Sequence, residues 1–263
     1  MLKWRLILKT LPIVACVVFL ALIRDYVLQV KGVIQFSDVS PLLSAVALII
    51  GFMMAGVLAD YKESEKIPGE IATTLETIGD TVHVVIALNK ETDVSQFEQK
   101  FGSLVSTVED WFMRRVSVDK CYAMLDDFRL VVTMMHPAAG VSYSLRGLEE
   151  MHHLRRLITR VEVIVRTSFL PVGYALLDLL VGTTLVLLLI SNYTSPIAEY
   201  FLISLFSLIY IYLDILIRDV DDPFVYASTE EVAGDAEVDP SPLREYRRRF
   251  EANRKSEVDD LVI

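Results

Sequence analysis

The sequence predicts an all-α integral membrane protein with four membrane-spanning helices and a helical region outside the bilayer. Three observations carry this: apolar runs too long for a soluble core, three- and four-residue hydrophobic periodicity between the second and third runs, and a one-sided distribution of Lys and Arg around the span ends. A hydrophobic content of 53% and a mean hydropathy of +0.45 agree with it.

The first apolar run follows Lys3, Arg5 and Lys9 and ends at Arg24. A basic start with a short apolar core also fits a signal peptide. The small-x-small cleavage pattern is missing and Leu6 to Leu8 can lengthen the span, which favours a retained helix, about Leu6 to Ile23. Residues Arg24 to Ser40 form a short connector, with Tyr26, Val27, Val30, Val33, Ile34 and Phe36 suited to the membrane interface. Positions 39–59 carry no charge, and at 1.5 Å per residue they cross a hydrocarbon layer of roughly 30 Å. Gly51 and Gly56 let another helix come close, and the run passes into a charged stretch that reads as the same helix leaving the membrane.

Residues 60–166 show almost no strand alternation. Helices are expected over Val94 to Arg115 and Val118 to Met135, with a break at His136-Pro137-Ala138-Ala139-Gly140. In a further amphipathic helix, Leu148, Met151, Leu154, Ile158, Val161 and Val165 share one face. The third and fourth spans, Thr167 to Ile190 and Ala198 to Ile217, are joined by a tight hairpin. The expected domains are therefore 1–59 (two spans), 60–166 (helical region), 167–226 (two spans) and 227–263, a charge-blocked tail expected to be largely disordered with one short helix. With four spans, all the Lys and Arg near the span ends except Arg24 and Lys31 share one side, which places both termini and the helical region in the cytoplasm of an inner-membrane, multi-pass protein.

No catalytic motif is present: there is no Walker loop, GxSxG, HExxH or GxGxxG after a strand, so no enzyme activity and no cofactor is expected. Cys16 and Cys121 form no CxxC-type pattern, and a net charge of −10 argues against nucleic acid as a partner. His152 and His153 point about 100° apart on a helix and cannot pinch one metal. Asp178 lies well inside the third span, where an uncompensated carboxylate costs roughly 3 kcal/mol. It is either a pore- or cavity-facing acid or one that fixes helix packing. Asp214, four residues before Arg218, reads as an i, i+4 ion pair.

Two segments resemble the bestrophin family. Gly51 and Phe52, followed by Glu63, Lys66, Gly69 and Glu70, are similar to the Gly-Phe of the family's pore-lining second helix and its cytoplasmic continuation. Asp222-Pro223-Phe224 after the last span is similar to the family's Asn-Pro-Phe-Gly, with Val225 in place of the glycine. The family's Asn and Tyr are replaced by Ala55 and Leu58, and its Arg-Trp by Asp60-Tyr61. The resemblance implies a divergent, prokaryotic-type ion channel of five copies around an axial pore, passing small inorganic ions, anions such as chloride by preference. It puts Ser44, Leu48 and Phe52, one helical turn apart, at an apolar neck. Asp60 and Asp178 would favour cations if they faced the conduit. The family's calcium clasp uses acids just after Pro-Phe; here Asp221 and Asp222 precede it and Glu230 and Glu231 follow several residues later, so no metal is expected. The expected partners are membrane lipid, further copies of the chain and ions. A membrane-anchored scaffold or sensor, whose helical region binds a cytosolic protein, is the alternative.

Overall fold

A computed structural model describes residues 4–88, 94–134, 136–166, 171–224 and 236–260. The described chain is helical apart from one short strand pair: α1 (Arg5–Leu22), a π-helical turn (Ile23–Leu28), β1 (Ile34–Gln35), α2 (Phe36–Ser64), α3 (Ile67–Leu88), α4 (Val94–Phe112), α5 (Val118–Met134), α6 (His136–Arg166), α7 (Pro171–Ile190), β2 (Ser191–Asn192), α8 (Pro196–Asp221) and α9 (Ser241–Asp260). Four stretches are long and apolar enough to cross a membrane, as the sequence predicts: Leu6–Leu28, Phe36–Val84, Val172–Ile190 and Pro196–Asp221. The Thr167 start expected for the third span lies outside the described residues.

The chain divides into two compact units. The first holds α1, most of α2, α7 and α8. Its apolar cluster is built from Val14, Val17 and Ala21 of α1, Leu177, Val181 and Leu188 of α7, Ile203, Tyr210 and Ile211 of α8, and one stripe of α2. At the end opposite the α7 N-terminus, β1 pairs in parallel with β2, and the Val33 N–H donates to the Ile190 carbonyl at 2.9 Å. Gly32 is required there, because a Cβ would sit 2.3 Å from the Ser191 carbonyl oxygen. Next to it, Arg24 donates to Asp25 (Nε to Oδ1, 2.8 Å), to Glu199 and to the Leu189 carbonyl, while the Tyr200 hydroxyl donates to Asp25 Oδ2 at 2.9 Å. These mostly buried charges are tolerated because each is paired and hydrogen-bonded. Ser195 caps α8 by accepting from the Ala198 N–H, with Pro196 in the first turn.

The second unit contains α3 to α6 and α9. Phe101, Leu104, Val108, Trp111 and Phe112 of α4 are buried together with Leu125 and Phe128 of α5, Leu154 and Ile158 of α6, and Ile71, Leu75 and Ile78 of α3. Trp111 Nε1 donates to Glu162 at 2.9 Å, and Arg114 Nη1 does so at 3.1 Å. Arg114 takes a left-handed conformation, φ 59°, at the end of α4, where its N–H and that of Arg115 close back on Trp111 and Asp110. Buried Cys121 has its thiol pushed up to about 12, by burial first and the Glu162 charge second.

Three expectations change in part. The helix of the second span does pass into the charged stretch, through Asp60, Lys62 and Glu63, but it ends at Ser64 and α3 starts at Ile67. Pro68 explains this, since it has no N–H to offer the Ser64 carbonyl. α5 ends at Met134, consistent with the expected stop before His136, but His136-Pro137 opens α6 at once instead of starting a non-helical break, proline being well suited to a first helical turn. In the tail, where one short helix is expected, α9 runs for 20 residues, longer than expected; residues 227–235 lie outside the described ones. Its Leu243 and Tyr246 are buried, the Tyr246 hydroxyl donates to the Leu75 carbonyl at 3.2 Å, and Phe250 meets Phe101 edge-on. Arg247 reaches Glu109 at 3.1 Å, and Arg249 reaches Glu76 at 3.4 Å. Gly79 leaves room for this docking: its Cβ would lie 3.2 Å from Phe101 and 3.3 Å from the Tyr246 hydroxyl.

Tyr246→Ala is expected to cost about 3 kcal/mol, the usual range for emptying a buried aromatic site, and to lower the thermal midpoint of the purified protein. The Glu63 carboxylate is held below the usual carboxylate range by its hydrogen bonds from Arg160 (Nε 3.0 Å, Nη2 2.8 Å). A depressed pKa gives stability that is present above the unfolded value of about 4.3 and lost as pH falls through the folded value. Glu63→Gln should therefore melt earlier than wild type at pH 7, and the difference should vanish on acidification below both values.

Candidate functional site

α2 has two faces of different character. Val39, Leu43, Val46, Ile50, Met53 and Val57 recur at steps of four and three and are buried in the first unit's cluster. The Tyr210 hydroxyl donates to the Leu43 carbonyl at 2.7 Å, fixing this face on α8. Ser44, Leu48 and Phe52 lie on the opposite face and are exposed, Leu48 at 61% and Phe52 at 70%. Around them stand Ala45, Ala47, Gly51, Ala55, Gly56 and Ala59, also exposed. Nothing lies within 4 Å of where a Gly51 Cβ would be, so packing within this chain does not demand a glycine there.

The exposed residues of the other spans are bulkier. Leu8, Leu11 and Phe19 on α1, Val172, Leu176, Leu179 and Val186 on α7, and Phe201, Leu205 and Ile209 on α8 are large, as suits contact with acyl chains. The exposed side of α2 is rich in small residues, and Leu48 and Phe52, one turn apart, are the most exposed of its large apolar side chains, which also include Leu42, Ile49 and Leu58.

The other residues singled out in the sequence fall in three places. Asp60 is exposed near the end of α2. Asp178, in the third turn of α7, pairs with Arg218 Nη2 at 2.5 Å, and Arg218 Nε pairs with Asp214 at 3.1 Å. The Arg218 guanidinium also lies over the Tyr174 ring, 4.9 Å from its centroid, and the Tyr174 hydroxyl donates to Asp221. Asp178 is thus one member of a charge cluster linking α7 to α8, and the i, i+4 pair expected for Asp214 is present. Of the motif residues, Glu63 pairs with Arg160, Gly69 has open space around it, and Glu70 is exposed with its carbonyl accepting from Thr74. Asp222 follows the end of α8 and is exposed, whereas Pro223 and Phe224 are buried; Phe224 meets Phe112 edge-on with ring centroids 5.6 Å apart.

His153 Nδ1 lies 3.2 Å from Thr74 Oγ1, and His152 is exposed. Among the described residues no group of three or more His, Cys, Asp or Glu is placed to hold a metal; Glu230 and Glu231 lie outside them. The sequence reading does not single out Tyr210. The signal was there: a tyrosine deep in an apolar span must find an acceptor for its hydroxyl.

This architecture, four apolar spans with an all-helical unit inserted between the second and third, defines a class of membrane protein. It is the fold of the bacterial bestrophin homologs. The crystal structure of a bacterial bestrophin homolog from Klebsiella pneumoniae carrying a point mutation superposes with a TM-score of 0.74 at 13% identity, covering 92% of this chain and 97% of that one. A second mutant of the Klebsiella homolog gives 0.72 at 14% identity, covering 95% and 97%. The structure of that homolog phased with zinc gives 0.67 at 14% identity, covering 96% and 97%. No protein-family model matches the sequence, and no curated protein does.

The charge cluster yields a graded expectation. Arg218→Met leaves Asp178 and Asp214 facing each other without a cation and should cost about 2 kcal/mol, more than Asp178→Asn, which leaves the Arg218–Asp214 pair intact. Thermal melting of the two detergent-purified variants measures the order.

Proposed function

We propose that the chain is a bestrophin-like ion channel built from several copies, five on the family resemblance, with the exposed face of α2 turned toward a shared axis. One observation carries this reading: a span whose apolar stripe is satisfied inside its own chain leaves exposed a side rich in small residues, on which Leu48 and Phe52 are the most exposed of the large side chains. Lipid accepts large side chains at no cost, whereas small ones let neighbouring backbones approach. Around an axis, repeated Ser44, Leu48 and Phe52 form stacked rings, the upper polar and the lower two apolar. Apolar rings of this kind oppose ion passage by dewetting and set a gate.

The ions are small and inorganic, with anions preferred on the resemblance. Asp60, exposed at the end of α2, acts against that preference where it faces the conduit. Asp178 has a cation beside it, and its net influence on a passing ion is correspondingly weaker. The protein sits in the inner membrane with its termini and second unit in the cytoplasm, the side that collects the Lys and Arg of the span ends. No covalent step and no cofactor enters this reading.

Reconstituted protein should pass ions through liposomes, and Phe52→Ala and Leu48→Ala should each raise the flux by about an order of magnitude as the apolar constriction widens. Native mass spectrometry should return five copies. Silence in wild type and both variants would instead leave the membrane-anchored scaffold, with the helical unit as a docking module.

A further inference from the structure

Resting on that reading of α2, we infer that Tyr210 is the positioning residue for the neck: through its hydrogen bond to the Leu43 carbonyl it sets where the outer part of α2 stands and hence how wide the first ring is. Leu43 immediately precedes Ser44 in the chain, about 100° around the helix from it, with Leu43 buried and Ser44 exposed. The bond is buried and 2.7 Å long, and it joins residues 167 positions apart. It therefore acts from a different helix, not along α2 itself.

This part of α2 is where the helix is least able to hold its own line. Pro41 lies inside it and has no N–H, so the Ser37 carbonyl loses its helical donor. Three residues later, Ser44 Oγ turns back to the Ser40 carbonyl at 3.3 Å, a bond that loosens and bends helices. Proline and back-bonded serine within one turn make a natural bending point. Leu43, Ser44, Leu48 and Phe52 all follow the proline, so a small angle at Pro41 swings them as one segment, and a bond at Leu43 holds that segment at its outer end, nearest Ser44.

Tyr210 is well fixed for such a role. It is 2% exposed, its ring stacks on Phe206 at 6.3 Å, and Phe206 in turn faces Phe36, the first residue of α2. Phe36 stacks on Tyr193 of the α7–α8 hairpin at 5.2 Å. An aromatic row thus connects the hairpin to the start of α2, and Tyr210 adds the directional contact beyond the proline.

The test uses the full-length protein in liposomes with Cys16→Ser, which removes the exposed native thiol; buried Cys121 remains. Ser44→Cys then reports access to a water-soluble thiosulfonate. Adding Tyr210→Phe, which deletes one oxygen and keeps the ring, should speed labelling at position 44 about fivefold, the factor one buried hydrogen bond controls. It should change ion flux in the Ser44 background while leaving the melting temperature close to wild type. Tyr212→Phe on the same helix should do neither. Equal labelling rates for Tyr210→Phe and Tyr212→Phe would overturn the assignment. So would a rate increase matched at Leu48→Cys and at Leu205→Cys, which would report general loosening. Faster labelling at position 44 in liposomes that pass no ions would uphold the hold of Tyr210 on α2 and refute the conduit.

Discussion

The second membrane helix satisfies only one of its two faces within its own chain, and that asymmetry governs the rest. Its buried stripe from Val39 to Val57 follows the packing rule of any helix on a core, with valine, leucine, isoleucine and methionine at alternating steps of four and three. The remaining face is exposed, and small residues are more frequent on it than on the exposed faces of α1, α7 and α8, beside the large Leu42, Leu48, Ile49, Phe52 and Leu58. What the face meets decides what the protein does.

Much of the architecture was legible because bilayers impose length and polarity together. Uncharged runs and the side preference of Lys and Arg mark the spans without reference to tertiary contacts. The amphipathic α6 was equally visible, and Met151, Leu154, Ile158 and Val161 are indeed buried. The misplaced boundaries turn on proline. Pro68 and Pro137 each sit in the first turn of a helix, where proline is favoured, and a reading that treats proline and glycine as breakers puts the interruption at the wrong residue or misses it. α9 was obscured differently: its apolar positions Leu243, Tyr246 and Phe250 keep a helical rhythm, but they are few among many charges, and only the groove of α3 and α4 gives them something to bury against.

The candidate residues divide by the same logic. A residue type and a spacing identify Ser44, Leu48 and Phe52 as one face, and the structure adds that the face is exposed. Pairings between distant segments are beyond such reading. Nothing local to Asp178 indicates that Arg218 lies beside it, nor does anything near Leu43 point to Tyr210. Such contacts are tertiary, and a single sequence records only that a costly group must have been accommodated somehow.

The clasp at the far end of the first unit bears on how the protein is made. Arg24 and the Leu189 carbonyl it bonds are 165 residues apart, and the β1–β2 bridge beside them joins segments almost as distant, pairing Ile34 with Ser191. A ribosome releases the first two spans long before it has translated the strand and the carboxylate that they need, so the early hairpin waits in the bilayer with Arg24 unpaired apart from its neighbour Asp25. The contacts of Arg24 with Glu199 and the Leu189 carbonyl can consequently form only once the last hairpin has been made, and a chain arrested before Glu199 would lack them.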